Sequence, residues 1–224
     1  MTHILDQLKK AWELIFKPEK SGKLSLDLVG ALRFYYLYSI IPVILAIIVG
    51  ALVGTAVGSG IQSGMRYSLP MGIGGVVHSV TAAASAVLPA FISGYTLLWF
   101  WIFVPIGIFI NAAIYQLIGK YLLNAWNGKY EKTFTAAMLA VIPSTLFYFL
   151  AFLPGINLIY LIVTPIWGMV ILIIALAALQ KTTRVVSLVS LLTTWLAVAL
   201  VLTLLVGVAI LGSVSALGLY RFVF

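Results

Sequence analysis

Residues 156–211 read INLIYLIVTPIWGMVILIIALAALQKTTRVVSLVSLLTTWLAVALVLTLLVGVAIL. Two apolar runs, Ile156–Leu179 and Val185–Leu211, flank the polar stretch Gln180-Lys181-Thr182-Thr183-Arg184. A helix needs about 20 apolar residues to cross the hydrocarbon core of a bilayer, so each run is long enough and the polar stretch is a turn between them. Lipid offers no partner for backbone N–H and C=O groups, which leaves the helix as the form such runs take. Towards the N-terminus three more runs qualify: Phe134–Leu153, Tyr95–Ile118 and Tyr35–Val57. The expectation is an all-α integral membrane protein. It has a five-transmembrane-helix bundle over 34–224 and an N-terminal amphipathic interfacial helix within a separate segment, 1–33.

Composition agrees with that class. Of 224 residues, 63% are hydrophobic and 8% charged, against roughly 25% charged in a soluble domain. With no cysteine and only His3 and His78, an ordinary zinc site lacks ligands. All five carboxylates (Asp6, Glu13, Glu19, Asp27 and Glu131) lie outside the apolar runs, whereas proton relays and carboxylate-coupled transport place an acid at membrane depth. His78-Ser79 has no acid to orient it and no Gly-x-Ser-x-Gly elbow around it. Neither a phosphate loop nor a dinucleotide fingerprint is present. No catalytic residue, metal, cofactor or nucleic-acid partner is therefore expected.

The basic residues set the expected orientation. Lys9, Lys10, Lys17, Lys20, Lys23 and Arg33 precede the first run. Lys120, Lys129 and Lys132 follow the second, and Lys181 and Arg184 follow the fourth. Five crossings put these eleven on one side and only Arg66 and Arg221 on the other. The positive-inside rule then gives a cytoplasmic N-terminus and an external C-terminus. Segment 72–94 contains an apolar stretch, Gly75–Ile92, but a sixth crossing there would erase the asymmetry. It reads as part of an external loop, 58–94, holding either a surface helix or a re-entrant one.

Within segment 1–33, Ile4, Leu8, Trp12 and Ile15 recur at helical spacing, widened by Leu5, Ala11 and Phe16, and Pro18 ends the pattern. Trp12 and Phe16 are the expected interfacial anchors. Burial on the protein's own cytoplasmic loops is the alternative for the same face. In the first run Ala46, Gly50, Gly54 and Gly58 form a small-residue stripe, suited to packing within the bundle or against a second copy. Gly107 and Gly119 frame Asn111 and Tyr115 on the second run, and the fourth offers Asn157, Tyr160 and Thr164. An intramembrane Asn needs a hydrogen bond, so Asn111 is expected to face the bundle interior. Pro105, Pro143 and Pro165 interrupt three runs, and neighbouring polar groups are expected to take up the freed carbonyls.

The layout resembles the Yip (Ypt/Rab-interacting protein) membrane family, in particular its short prokaryotic members. The resemblance rests on Trp12-Glu13-Leu14-Ile15-Phe16-Lys17-Pro18 before the first span and on Asn127-Gly128-Lys129-Tyr130-Glu131-Lys132-Thr133-Phe134 after the second. It rests also on Pro143-Ser144, Pro154-Gly155-Ile156, Ile166-Trp167 and the Gln180–Arg184 turn. It implies five helices with a cytoplasmic N-terminus. Eukaryotic members bind Rab-type GTPases and form hetero-oligomers in vesicle traffic. The expected function is a non-enzymatic membrane scaffold, adaptor or membrane-shaping protein linked to membrane organisation. Its contact surfaces for a cytoplasmic protein partner would be the N-terminal segment and the basic loops. The alternative is a small channel or transporter with a polar path near Asn111 and Tyr115.

Overall fold

The computed structural model describes residues 2–23, 26–68, 87, 91 and 93–221. Segment 72–94, expected at the surface or re-entrant, falls almost wholly outside them. All regular structure among the described residues is helical. We number the helices α1 (Thr2–Phe16), α2 (Leu28–Ser68), α3 (Ser93–Leu122), α4 (Tyr130–Ala140), α5 (Ile142–Leu146), α6 (Ile156–Gln180) and α7 (Arg184–Arg221). Four stretches are long and apolar enough to cross a membrane: Leu28–Val57 of α2, all of α3, all of α6, and Arg184–Ala209 of α7.

The third expected span, Phe134–Leu153, is not one helix. It divides into α4, α5 and a 3-10 turn, Tyr148–Phe152. Pro143 has no N–H to donate, so the ladder breaks just before it, at Val141 (φ −86°, ψ −5°). The broken segment runs antiparallel along α6. At one end the Gln180 amide donates to Thr133 Oγ1 (2.7 Å). Midway, the Ala140 carbonyl lies against Gly168, and further on the Tyr160 hydroxyl donates to the Ser144 carbonyl (3.0 Å). Thr133–Leu139, Ile142 and Pro143 are all buried. This segment is the middle of the bundle, screened by α3 and α6.

Proline explains the shape of α3 as well. With no N–H on Pro105 the Trp101 carbonyl loses its usual partner, and Val104 reaches back to Trp99, giving a π turn over Trp99–Phe103. Two tyrosines of α2 take up the freed carbonyls. Tyr35 donates to Phe100 (2.7 Å) and Tyr36 to Trp101 (3.1 Å). The expectation that polar neighbours satisfy a proline-freed carbonyl holds here, and it fixes α2 to α3.

The N-terminal segment forms a helix, α1, but the face it buries is not the expected one. Ala11, Leu14 and Ile15 are buried in the core, while Trp12 and Phe16 stay 49% and 61% exposed, their rings 5.4 Å apart. Ile15 lies in the last turn of α1, where carbonyls have no partner in the helix. Trp167 of α6 supplies one through its indole N–H (3.0 Å). Trp167 stands thirteen residues from Gln180, about 20 Å along the helix. The helix thus packs on the flank of α6 and against Phe147 (5.8 Å between rings with Trp12). Glu13 pairs with Lys20 beyond the helix end, and that hydrogen bond and charge hold its carboxyl below the usual range.

Topology is directly testable because cysteines can be introduced one at a time into a chain that has none. Lys129→Cys, between α3 and α4, and Pro154→Cys, before α6, are both exposed positions. An impermeant maleimide should label them from opposite sides of the membrane. Labelling of both from one side would mean that 130–153 does not cross.

Candidate functional site

Lysines 120, 129, 132 and 181 and Arg184 gather at one end of the bundle, where the end of α3, the 123–129 loop, and the α6–α7 turn meet. The chain leaves α3 through a second π turn, Leu117–Leu122. It then reverses at Asn124, whose φ of 49° is left-handed. The turn is closed by Leu123 N–H on the Ile118 carbonyl (2.9 Å) and Ala125 N–H on Gly119 (2.8 Å). It lays the Trp126 ring, 1% exposed, directly on Gly119, where any Cβ would collide with it. Lys181, also left-handed (φ 57°), ends α6, and the Thr183 hydroxyl accepts from Val186 N–H (3.2 Å) at the start of α7.

A closed ring of hydrogen bonds holds these loops together. Gly128 N–H donates to Gln180 Oε1 (2.7 Å), and Gln180 Nε2 donates to Thr133 Oγ1 (2.7 Å). Thr133 in turn donates to Gln116 Oε1, and Gln116 Nε2 returns to the Gly128 carbonyl (3.1 Å). All four residues are buried. Both amide orientations follow from Gly128, which offers one donor and one acceptor. Lys120 Nζ adds a longer contact to the same carbonyl (3.4 Å). Gln116, Thr133 and Gln180 are residues of this candidate site that sequence reasoning missed as a group. Their signal was a glutamine at the inner end of two separate apolar runs.

The residues picked from the sequence are dispersed. Ala46, Gly50 and Gly54 are buried along α2, and Gly58 has no described surroundings. A Cβ at Gly107 would meet nothing within 4 Å, so the close packing expected there is not made within the described residues. Thr164 is buried and donates to the Tyr160 carbonyl (2.8 Å), while Asn157 is half-buried. Asn111 departs from its expected interior position. It is exposed, has no side-chain hydrogen bond among the described residues, and lines a cleft of 390 Å³ between α3 and α7. The cleft lies along the contact of α3 with α7. Tyr115, Thr194, Trp195 and Val198 share it, and Trp195 Nε1 donates to the Tyr115 hydroxyl (3.4 Å). Thr194 donates to the Ser190 carbonyl (2.7 Å), and among the described residues none of these groups bonds the Asn111 amide.

Among the described residues no group of His, Cys, Asp and Glu could hold a metal ion. Comparison with protein-family models, curated proteins and solved structures finds no match to this chain.

Proposed function

We propose that the chain is a non-enzymatic integral membrane scaffold or adaptor, of the kind the Yip resemblance implies. In this reading the interrupted segment 130–152 is a fifth crossing, the cationic end faces the cytoplasm, and the C-terminus is external. One observation carries it. Gln116, Thr133 and Gln180, buried at the cationic end, close a ring of hydrogen bonds with the Gly128 backbone. A hydrated path needs polar groups left open to solvate a solute, and a packed bundle uses them internally. The ring also locks two loops into one fixed face, which suits a surface that others recognise.

The second reading, a channel or transporter, draws on the open Asn111 amide in the α3–α7 cleft. Flux in reconstituted liposomes separates the two. The scaffold reading expects ion and small-metabolite flux no higher than in empty liposomes. It also expects Asn111→Leu to be at least as stable as wild type, since the amide it removes has no partner among the described residues. Solute-selective flux in wild type that disappears in a folded Asn111→Leu protein would replace the scaffold with the channel.

A further inference from the structure

We propose that the cationic end of the bundle binds the phosphate headgroup of an anionic phospholipid. The fold brings like charges together there and provides almost nothing to neutralise them. Gly128 is the centre. Lys120 Nζ reaches its carbonyl, and the Lys132 chain lies against its Cα, with Cδ 3.0 Å from where a Cβ would stand. Lys129 follows it in sequence. Gln180, bonded to Gly128 N–H, brings Lys181 to the same place, and Arg184 opens α7 three residues later. Four of the five carboxylates, Asp6, Glu13, Glu19 and Asp27, belong to the N-terminal segment, and Glu131 is the one that shares a stretch of chain with the cations. The one ion pair among the described residues, Lys20 with Glu13, is also in the N-terminal segment. The cations do not hold themselves together: a ring of uncharged hydrogen bonds does, against their repulsion.

The surroundings favour a lipid over a soluble anion. Leu117, Tyr121 and Leu122, in the last turns of α3, are 62%, 74% and 69% exposed. The Lys120 ammonium stands 5.7 Å from the Tyr121 ring. A free phosphate would use the cations alone. A phospholipid would use the cations for its phosphate and the apolar collar for its acyl chains, as at a membrane boundary. This site stands whether or not the chain is a scaffold.

The test uses the full-length protein in neutral detergent micelles doped with phosphatidylglycerol or phosphatidylcholine, with retained lipid measured by native mass spectrometry. Phosphatidylglycerol should be retained in preference. Lys181→Asn with Arg184→Gln should weaken its retention about 25-fold, fivefold per charge, and leave phosphatidylcholine unchanged. Asparagine keeps the left-handed turn at 181, and both sites are exposed, so this variant retains the fold. Gln180→Leu changes no charge, yet its folded fraction should also lose the preference, because the ring no longer joins the loops. Equal retention of the two lipids, or a double variant that behaves as wild type, would overturn the site. Displacement of phosphatidylglycerol by millimolar inorganic phosphate, or equally tight binding of a short oligonucleotide, would overturn the lipid assignment.

Discussion

Replacing Gln180 with leucine should lower the unfolding free energy in detergent by about 2–4 kcal/mol. The two side chains have similar volumes, so little cavity is left and the loss is almost entirely polar. Leucine offers no acceptor to the buried Gly128 N–H and no donor to Thr133 Oγ1. A buried donor left without a partner costs about 1–3 kcal/mol, more than the net worth of the bond itself. The loop carrying Trp126 is joined to α6 through this amide, so thermal unfolding should show the loss as a lower midpoint. A double-mutant cycle with Thr133→Val makes the claim specific. The two positions share one ring, and their effects should fall short of additive by about 0.5–3 kcal/mol. Strict additivity would mean that the ring does not act as a unit.

The ring also marks the limit of what could be read from the chain. The apolar runs were legible because a span declares itself locally. The run Ile156–Leu179 became α6 with one further residue, and Tyr95–Ile118 and Val185–Leu211 both lie inside α3 and α7. Pro105 was legible as an interruption, and so was the need for something to take up the freed carbonyl. That Tyr35 and Tyr36 would do so was not, because the pairing joins residues 65 apart. Gln116, Gly128, Thr133 and Gln180 pose the same difficulty, since hydrogen-bonding chemistry names donors and acceptors but not which distant ones meet. Phe134–Leu153 was read as a span from its hydropathy, which does not register that Pro143 divides it into short pieces. Asn111 was placed inside on the rule that an amide in lipid must be bonded. Its exposure depends on how α3 and α7 sit against each other, which is not written in either helix alone.

Alanine at two glycines should have opposite effects, although both sit inside long apolar helices. At Gly168 a Cβ would stand 2.5 Å from the Ala140 carbonyl oxygen. That oxygen is backbone, at the end of α4 beside the break at Val141, and cannot rotate away as a side-chain tip would. Gly168→Ala must separate α4 from α6 by a fraction of an ångström at this contact. The expected loss is about 1–3 kcal/mol, as for other overpacked cores, and Gly168→Leu should prevent folding. At Gly107 the same methyl would meet nothing within 4 Å. There the change removes only the backbone freedom of glycine, worth about 0.5–1 kcal/mol in favour of alanine within a helix. Gly107→Ala should therefore be neutral or stabilising in detergent and leave the size of the purified particle unchanged. A tolerated Gly168→Ala would show that α4 and α6 do not meet as described. A destabilising Gly107→Ala that also reduces particle size would show that the open face of α3 is covered by a second copy of the chain.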